Sequence, residues 1–304
     1  MAILCFEGYN DKIIKYVNKY NIIDSEFDRY IEESSEVIGI NLSDFLADNI
    51  SNVSTVDAII AKIIIVYVTD LCIYKKYMES GIKADVFIGY SLGFITAAVC
   101  SNAITFRDGL VTLKCIGDCI RYADTIMDCS LLIEMGLDEE TVNRIIRKNG
   151  VENKIKIVGV CSEYCMLISG DSKCMEQCIM DMKQEGVLGT NKLEIRMPYH
   201  YMEYSGWIDK FCTPITMLDA KDPEICCYSI TKRKKLCTAE EMIDGLNYDF
   251  VRKLYWKDAI EALEDEGHRE FWDISLNGGI KKMTEFSNPE SEMYNYKFFR
   301  NKEI

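Results

Sequence analysis

Apolar positions follow two patterns along this chain. The opening run Met1-Ala2-Ile3-Leu4-Cys5-Phe6 is continuously apolar and reads as a first core strand. Ala58 to Tyr74 is a longer apolar stretch interrupted by Lys62 and Asp70. Its uninterrupted part is too short to span a bilayer, so it reads as a buried helix leading to the next strand. That strand is Asp85-Val86-Phe87-Ile88, and Phe94 to Cys100 is apolar and can start a helix. From Ser130 the pattern changes. Leu131–Met135 reads as a strand, and Asp138–Lys148 as a helix with Asp138 near its cap. Ile155–Val160 and Cys165–Ile168 read as strands, Asp171–Gln184 as a second helix and Leu193–Met197 as a final strand. The order βαββαβ is a ferredoxin-like unit.

The strand at Asp85–Ile88 runs into Gly89-Tyr90-Ser91-Leu92-Gly93, a G-x-S-x-G pattern between a strand and a helix. Such an elbow lifts a serine hydroxyl out of the backbone, and the helix start offers free N–H groups to a developing oxyanion. The alternative is a glycine-containing turn with an idle serine, so a partner base decides. The chain has two histidines. His268 lies in Glu266-Gly267-His268-Arg269, a polar stretch between a helix and a strand. His200 follows Pro198-Tyr199, where the proline stops a strand and can set the imidazole at the edge of a cleft. A serine nucleophile needs an imidazole to take its proton, and His200 has the better setting.

These motifs, in order, resemble the malonyl-CoA:acyl-carrier-protein acyltransferase family, including the acyltransferases of polyketide synthases. The family's G-H-S-L-G-E followed by two helices is matched by GYSLGFITAAVCSNAITFRDGLVTLKCIG from Gly89 to Gly117. Its Pro-x-His block is matched by Pro198-Tyr199-His200, and its V-V-I-S-G by Met166-Leu167-Ile168-Ser169-Gly170. Trp256 fits the tryptophan of its P-V-x-W block, and Trp272-Asp273-Ile274-Ser275-Leu276-Asn277 resembles E-I-G-P-G. The resemblance implies an α/β fold, with an α/β-hydrolase-like large subdomain over 1–124 and 199–304 and an inserted ferredoxin-like small subdomain over 125–198. It further implies acyl transfer from a thioester donor (coenzyme A or a carrier protein) to an acyl carrier protein. The acyl-serine would form on Ser91, with His200 as base and the Leu92 and Tyr9 backbone N–H groups as oxyanion donors. Asp249, seven residues before Trp256, stands where the family orients the histidine, by carboxylate or by backbone carbonyl.

The departures from the family matter as much. Phe6-Glu7-Gly8-Tyr9 keeps the family's Phe-x-Gly frame but puts Tyr9 at the glutamine position. Tyr90 replaces the elbow histidine and Phe94 the glutamate. Counting along the ungapped match, the arginine that pairs with a malonyl carboxylate becomes Ile116, and Arg121 falls on a different part of the helix. An isoleucine cannot hold a carboxylate as a guanidinium does. The substrate expected at Tyr90, Phe94 and Ile116 is therefore an uncharged acyl group. Two alternatives stay open: a hydrolase of carrier thioesters on the same scaffold, and a non-catalytic carrier-binding homologue.

Composition adds limits. The 304 residues are 48% hydrophobic, enough for a substantial core, and the net charge of −14 argues against nucleic acid as a partner. Lys232-Arg233-Lys234-Lys235 is a basic run that could dock an acidic carrier or be a solvated loop. The fourteen cysteines include no C-x-x-C pair, and those four apart have no nearby histidine, so neither a metal nor a cofactor is expected. Without a basic leader or a spanning segment, no membrane partner is expected, and free cysteines in a reducing cytoplasm are the simplest setting.

Overall fold

The apolar opening run becomes a central strand. In the computed structural model, which describes residues 2–47, 54–193, 195, 197–201, 206–285 and 291–302, β1 (Ala2–Phe6) is buried along its whole length. Parallel strands flank it: β2 (Ala84–Gly89) on one side, β10 (Glu270–Asp273) on the other. β11 (Glu292–Asn295) extends the sheet beyond β10, while β7 (Cys227–Ser229) and then antiparallel β8 (Lys234–Leu236) extend it beyond β2. A strand with neighbours on both sides and both faces covered carries an unbroken apolar run, as β1 does. The helix Thr55–Glu79, with Ser54 as its cap, is buried nearly all round. It holds Asp70 in the interior at 0% exposure.

The second sheet runs β6-β3-β5-β4-β9. β3 (Cys129–Met135), β4 (Ile155–Ser162), β5 (Cys165–Asp171) and β6 (Gly189–Leu193) are antiparallel. The helices Glu139–Lys148 and Ser172–Gln184, capped by Asp138 and Asp171, close a separate small core around Leu132, Ile145, Met166 and Met175. This is the ferredoxin-like arrangement, and the whole is the α/β fold expected, with an α/β-hydrolase-like large part. The small sheet takes its fifth strand from elsewhere in the chain: β9 (Leu254–Tyr255) pairs with Gly159 and Val160.

Three expectations are corrected. The strand expected at Leu193–Met197 lies earlier, at Gly189–Leu193; Glu194 and Arg196 are outside the described residues. β6 is an edge strand with Asn191 and Lys192 exposed, so it carries no apolar signal. The basic run is neither a free patch nor a bare loop, because each of its four cations has an acidic partner: Asp244, Asp258, Glu241 and Glu266 in turn. Nor are the cysteines all free. Cys226 and Cys237 form a disulfide (Cα–Cα 4.8 Å) because they face each other across the β7–β8 hairpin, one step beyond the Cys227–Leu236 pair. Near the end of the chain, the described residues form β11 and a helix, Tyr296–Lys302, whose Phe299 packs on Tyr77. No helix among the described residues is long and apolar enough to cross a membrane.

The elbow is seated directly on β1. A Cβ at Gly93 would lie 2.3 Å from the Phe6 carbonyl oxygen and 2.6 Å from that of Glu7. At Gly89 it would meet the Phe94 nitrogen at 2.2 Å. Backbone atoms cannot yield as side chains do. Gly93→Ala should therefore lower stability by about 2 kcal/mol or more, measured by thermal or denaturant unfolding; an unchanged melt would contradict this close seating.

Candidate active site

Ser91 has φ 55°, a left-handed conformation that non-glycine residues rarely adopt. The elbow enforces it: Tyr90 N–H donates to the Phe6 carbonyl at 3.0 Å, and Gly93 N–H returns to the Tyr90 carbonyl at 3.0 Å. Ser91 Oγ is thereby left half-buried at the mouth of the elbow, 2.8 Å from His200 Nε2. His200 also has a left-handed backbone, φ 58°, and is tied down by its N–H to the Phe250 carbonyl at 2.7 Å. His268 takes no part; it sits in the turn before β10 beside Glu266.

The other side of the imidazole is held by backbone. Nδ1 lies 2.9 Å from the Asp249 carbonyl and 3.0 Å from that of Arg252. Carbonyls only accept, so Nδ1 carries the proton and Nε2 offers its lone pair to the serine hydroxyl. The Asp249 carboxylate points elsewhere, accepting from Thr231 Oγ1 at 3.1 Å. Of the two possibilities weighed for Asp249, the carbonyl is the one that reaches the ring. Arg252 carries no sequence signal for this role, because any residue supplies a carbonyl.

Burial pushes the His200 pKa down to about 4, partly opposed by its two carbonyl acceptors. The ring is therefore neutral at physiological pH, as a base must be.

Leu92 is the N-cap residue of the helix Gly93–Cys100, and the N–H groups of Gly93, Phe94 and Ile95 turn back onto the Tyr90, Ser91 and Leu92 carbonyls at 3.0, 2.9 and 3.1 Å. Opposite it lies the loop after β1. A Cβ at Gly8 would stand 3.4 Å from Ser91 Cβ and 2.8 Å from the Tyr90 carbonyl, so this loop runs against Ser91. Tyr9 follows and lines the same cleft.

The cleft holds about 290 Å³ and lies between the elbow, the loop after β1 and the small sheet. Leu131, Ile133, Leu167, Leu193, Ile195 and Met283 give it an apolar wall. Tyr199 joins them; its buried hydroxyl has no partner among the described residues. Lys282 is the one cation lining the cleft among the described residues. It is exposed at the rim, its ammonium donating to the Asn277 carbonyl at 3.2 Å. Phe94 and Ile116 do not line this cleft. They are 1% exposed and, with Leu246 and Phe250, close a narrower hollow on the other side of Ser91. Tyr90 does line the cleft, its hydroxyl 3.1 Å from Cys161 Sγ. Arg121 is turned away and pairs with Asp57 and Asp118, both at 3.1 Å. No group of three or more acidic, histidine or cysteine side chains among the described residues is arranged to hold a metal.

One feature beside the site had no sequence signal. Glu7, Asp70 and Asp273 are buried together, at 5%, 0% and 0% exposure. Asp70 accepts the Glu7 N–H at 3.1 Å, anchoring the loop that runs past Ser91, and Glu7 accepts from Asn10 at 3.1 Å. Asp273 accepts the Ser275 and Lys281 N–H groups, each at 2.8 Å. Burial raises the pKa of all three, and their mutual repulsion adds to the rise for Glu7 and Asp70; that of Asp273 reaches about 6.

No protein-family model matches the chain. Single sequences and structures do. The malonyl CoA-acyl carrier protein transacylase of Bacillus subtilis (strain 168) is 24% identical over 220 residues, covering 71% of this chain and 69% of that protein. The transacylase structure from Coxiella burnetii superimposes with a TM-score of 0.82 at 17% identity, over 97% of this chain and 93% of that one. A malonyl-transacylase solved in complex with its type II polyketide synthase acyl-carrier protein gives 0.80 at 16%, over 97% and 95%.

The carboxyl cluster has a measurable consequence. The folded pKa values are raised, so the stabilisation from bound protons is full below the unfolded carboxyl range near 4 and is lost as pH rises through the folded values. Asp70→Asn, which keeps an acceptor for the Glu7 N–H, should raise the melting temperature near pH 8 by roughly a few degrees and have less effect near pH 5. A variant less stable than wild type near pH 8 would contradict the assignment. By sequence along most of its length, and by fold, the chain is a divergent relative of the malonyl CoA-acyl carrier protein transacylases.

Proposed function

We propose that this protein is an acyltransferase that carries an acyl group from a thioester donor to an acyl carrier protein through an acyl-serine on Ser91. The observation that carries the reading is the 2.8 Å Ser91–His200 contact, with the imidazole held in the tautomer a base requires. His200 Nε2 takes the hydroxyl proton as Ser91 Oγ attacks the thioester carbonyl carbon. The carbonyl oxygen becomes an oxyanion between the Leu92 and Tyr9 N–H groups, and the thiolate leaves with the proton returned by His200. The acyl group then passes to a carrier thiol by the same steps in reverse. A donor aimed at the oxyanion contributes about 3 kcal/mol, and a positioned base roughly 10²–10⁴-fold. An acyl carrier protein as acceptor, in fatty-acid or polyketide-type synthesis, is supported by what the relatives are named for.

The acyl group we infer is uncharged. Support comes from the apolar wall of the cleft and from the hollow beside Ser91, where Phe94 and Ile116 leave no cation for a carboxylate. Lys282, at the solvent rim, already donates to a backbone carbonyl. A carboxylate brought against these side chains would be desolvated without a partner, at a cost of several kcal/mol.

Four outcomes test this. Ser91→Ala should form no acyl-enzyme, and His200→Ala should lower turnover by roughly 10²–10⁴-fold. In wild type, acylation should hold its rate down to about pH 5, because the base protonates near 4 in the folded protein. A rate that falls already below about 6.5, or a Ser91→Ala protein with full turnover, would refute the assigned roles. In a separate competition for loading, acetyl or longer uncharged acyl thioesters should exceed malonyl by about tenfold or more. Preferential malonyl loading would show that another cation receives the carboxylate.

A further inference from the structure

Across the cleft from Ser91, two thiols stand together where β4 turns into β5. Val160 pairs with Met166 and Ser162 with Cys165, so Cys161 is the extra residue of a bulge. Bulges re-aim side chains beside active sites. This one turns Cys161 toward Cys165, and both line the cleft that holds Ser91. The two thiols are close enough to hydrogen-bond. Cys161 Sγ also lies 3.1 Å from the hydroxyl of Tyr90, the residue before the nucleophile, whose ring packs edge-on against Trp256 at 5.6 Å. Another pair of hydrogen-bonding thiols, Cys119 and Cys212, lies outside the cleft. Cys161 and Cys165 thus combine a partner thiol, a hydroxyl and an opening toward substrate space.

We propose that Cys161 and Cys165 form a thiol-modification site inside the substrate cleft, reactive toward small disulfides that enter it. The Cys161 thiolate attacks one sulfur of the disulfide. A new S–S bond forms, the old one breaks, and one small thiolate leaves. Cys165 then loses its proton to solvent and attacks Cys161 Sγ, expelling the second small thiolate and leaving a Cys161–Cys165 disulfide. The two protein thiols are oxidised and the small disulfide is reduced to two thiols. Cys161 is suited to attack first: hydrogen bonds from Cys165 and Tyr90 hold its thiol below the usual range against the effect of burial, and the bond to Cys161 that pushes Cys165 up is lost once Cys161 is in the mixed disulfide. Either product alters the site. The mixed disulfide fills the cleft before Ser91, and the internal disulfide takes Cys161 from Tyr90. The proposal rests on the cleft's geometry and does not require that acyl transfer be its reaction.

The test uses the folded full chain carrying Cys174→Ser, since Cys174 is the one described free cysteine that is not buried. It is treated with 4,4′-dithiodipyridine, an uncharged aromatic disulfide. The expected result is release of about two equivalents of 4-thiopyridone per chain, no retained aryl group and a linked Cys161–Cys165 peptide by mass spectrometry. Adding Cys165→Ser should halve the release and leave the aryl group on Cys161; adding Cys161→Ser, or Cys161→Ala if the serine variant melts early, should reduce release to background. Labelling of Ser91 by a fluorophosphonate should fall on oxidation and return with dithiothreitol. Equal reaction in the Cys161 variants would overturn the proposal. So would both thiols remaining reduced until the protein unfolds, or Ser91 labelling indifferent to their oxidation. These thiol measurements stand even if no acyl-enzyme is ever found.

Discussion

The site depends on one close approach of two backbones. Gly93 lies so near the Phe6 and Glu7 carbonyls that no side chain fits between them. That contact seats the elbow on the end of β1 and sets the loop after β1 against Ser91. It also makes the loop and the helix start parts of one unit, so the distance from the serine to both sources of N–H groups is a property of the sheet. The left-handed backbone at Ser91 is tolerated because hydrogen bonds to β1 and within the elbow over-determine it. His200 carries the same kind of strain, held by the Phe250 carbonyl from a separate segment. Two strained residues meeting at 2.8 Å indicate a site shaped by more than packing.

Burial does the electrostatic work on both sides of the serine. It lowers the affinity of His200 for a proton, so the ring stays a base. Beneath the neighbouring loop it raises the proton affinity of Glu7, Asp70 and Asp273. An arginine in the Ile116 hollow would need a carboxylate to justify its desolvation. The hollow is lined by Ile116, Phe94, Leu246 and Phe250 with the acid Asp249 and, among the described residues, no cation, and the larger volume lies on the other side, against the small sheet. Loop anchoring thus follows from where charge is buried, and the proposed substrate preference from where it is absent.

Much of this was legible in the sequence, for identifiable reasons. The elbow pattern, the apolar run before it and the Pro-x-His block each carry a local signal. β1, the Ala58–Tyr74 part of the helix Thr55–Glu79 and the Asp138 cap were readable from apolar runs and cap chemistry. What could not be read had no local signal. β6 is polar because it is an edge strand. Arg252 acts through its carbonyl, and the bulge at Cys161 arises from cross-strand register. Asp70 read as an interruption in an apolar helix; its role emerges only when the loop after β1 is folded onto it. Ile116 and Phe94 were readable as departures from a family pattern, but their separation from the main cleft was not.

The central claim is that Ser91 holds an acyl group long enough to hand it to a thiol, and a chase experiment tests it most directly. The protein is loaded with a labelled uncharged acyl group from its coenzyme A thioester, freed of donor, and followed by intact mass in buffer and with a phosphopantetheinylated acyl carrier protein. The label should reside on Ser91, persist in buffer and move to the carrier thiol when carrier is added. Release as free acid at the same rate with and without carrier, or no label on Ser91 at all, would contradict the account.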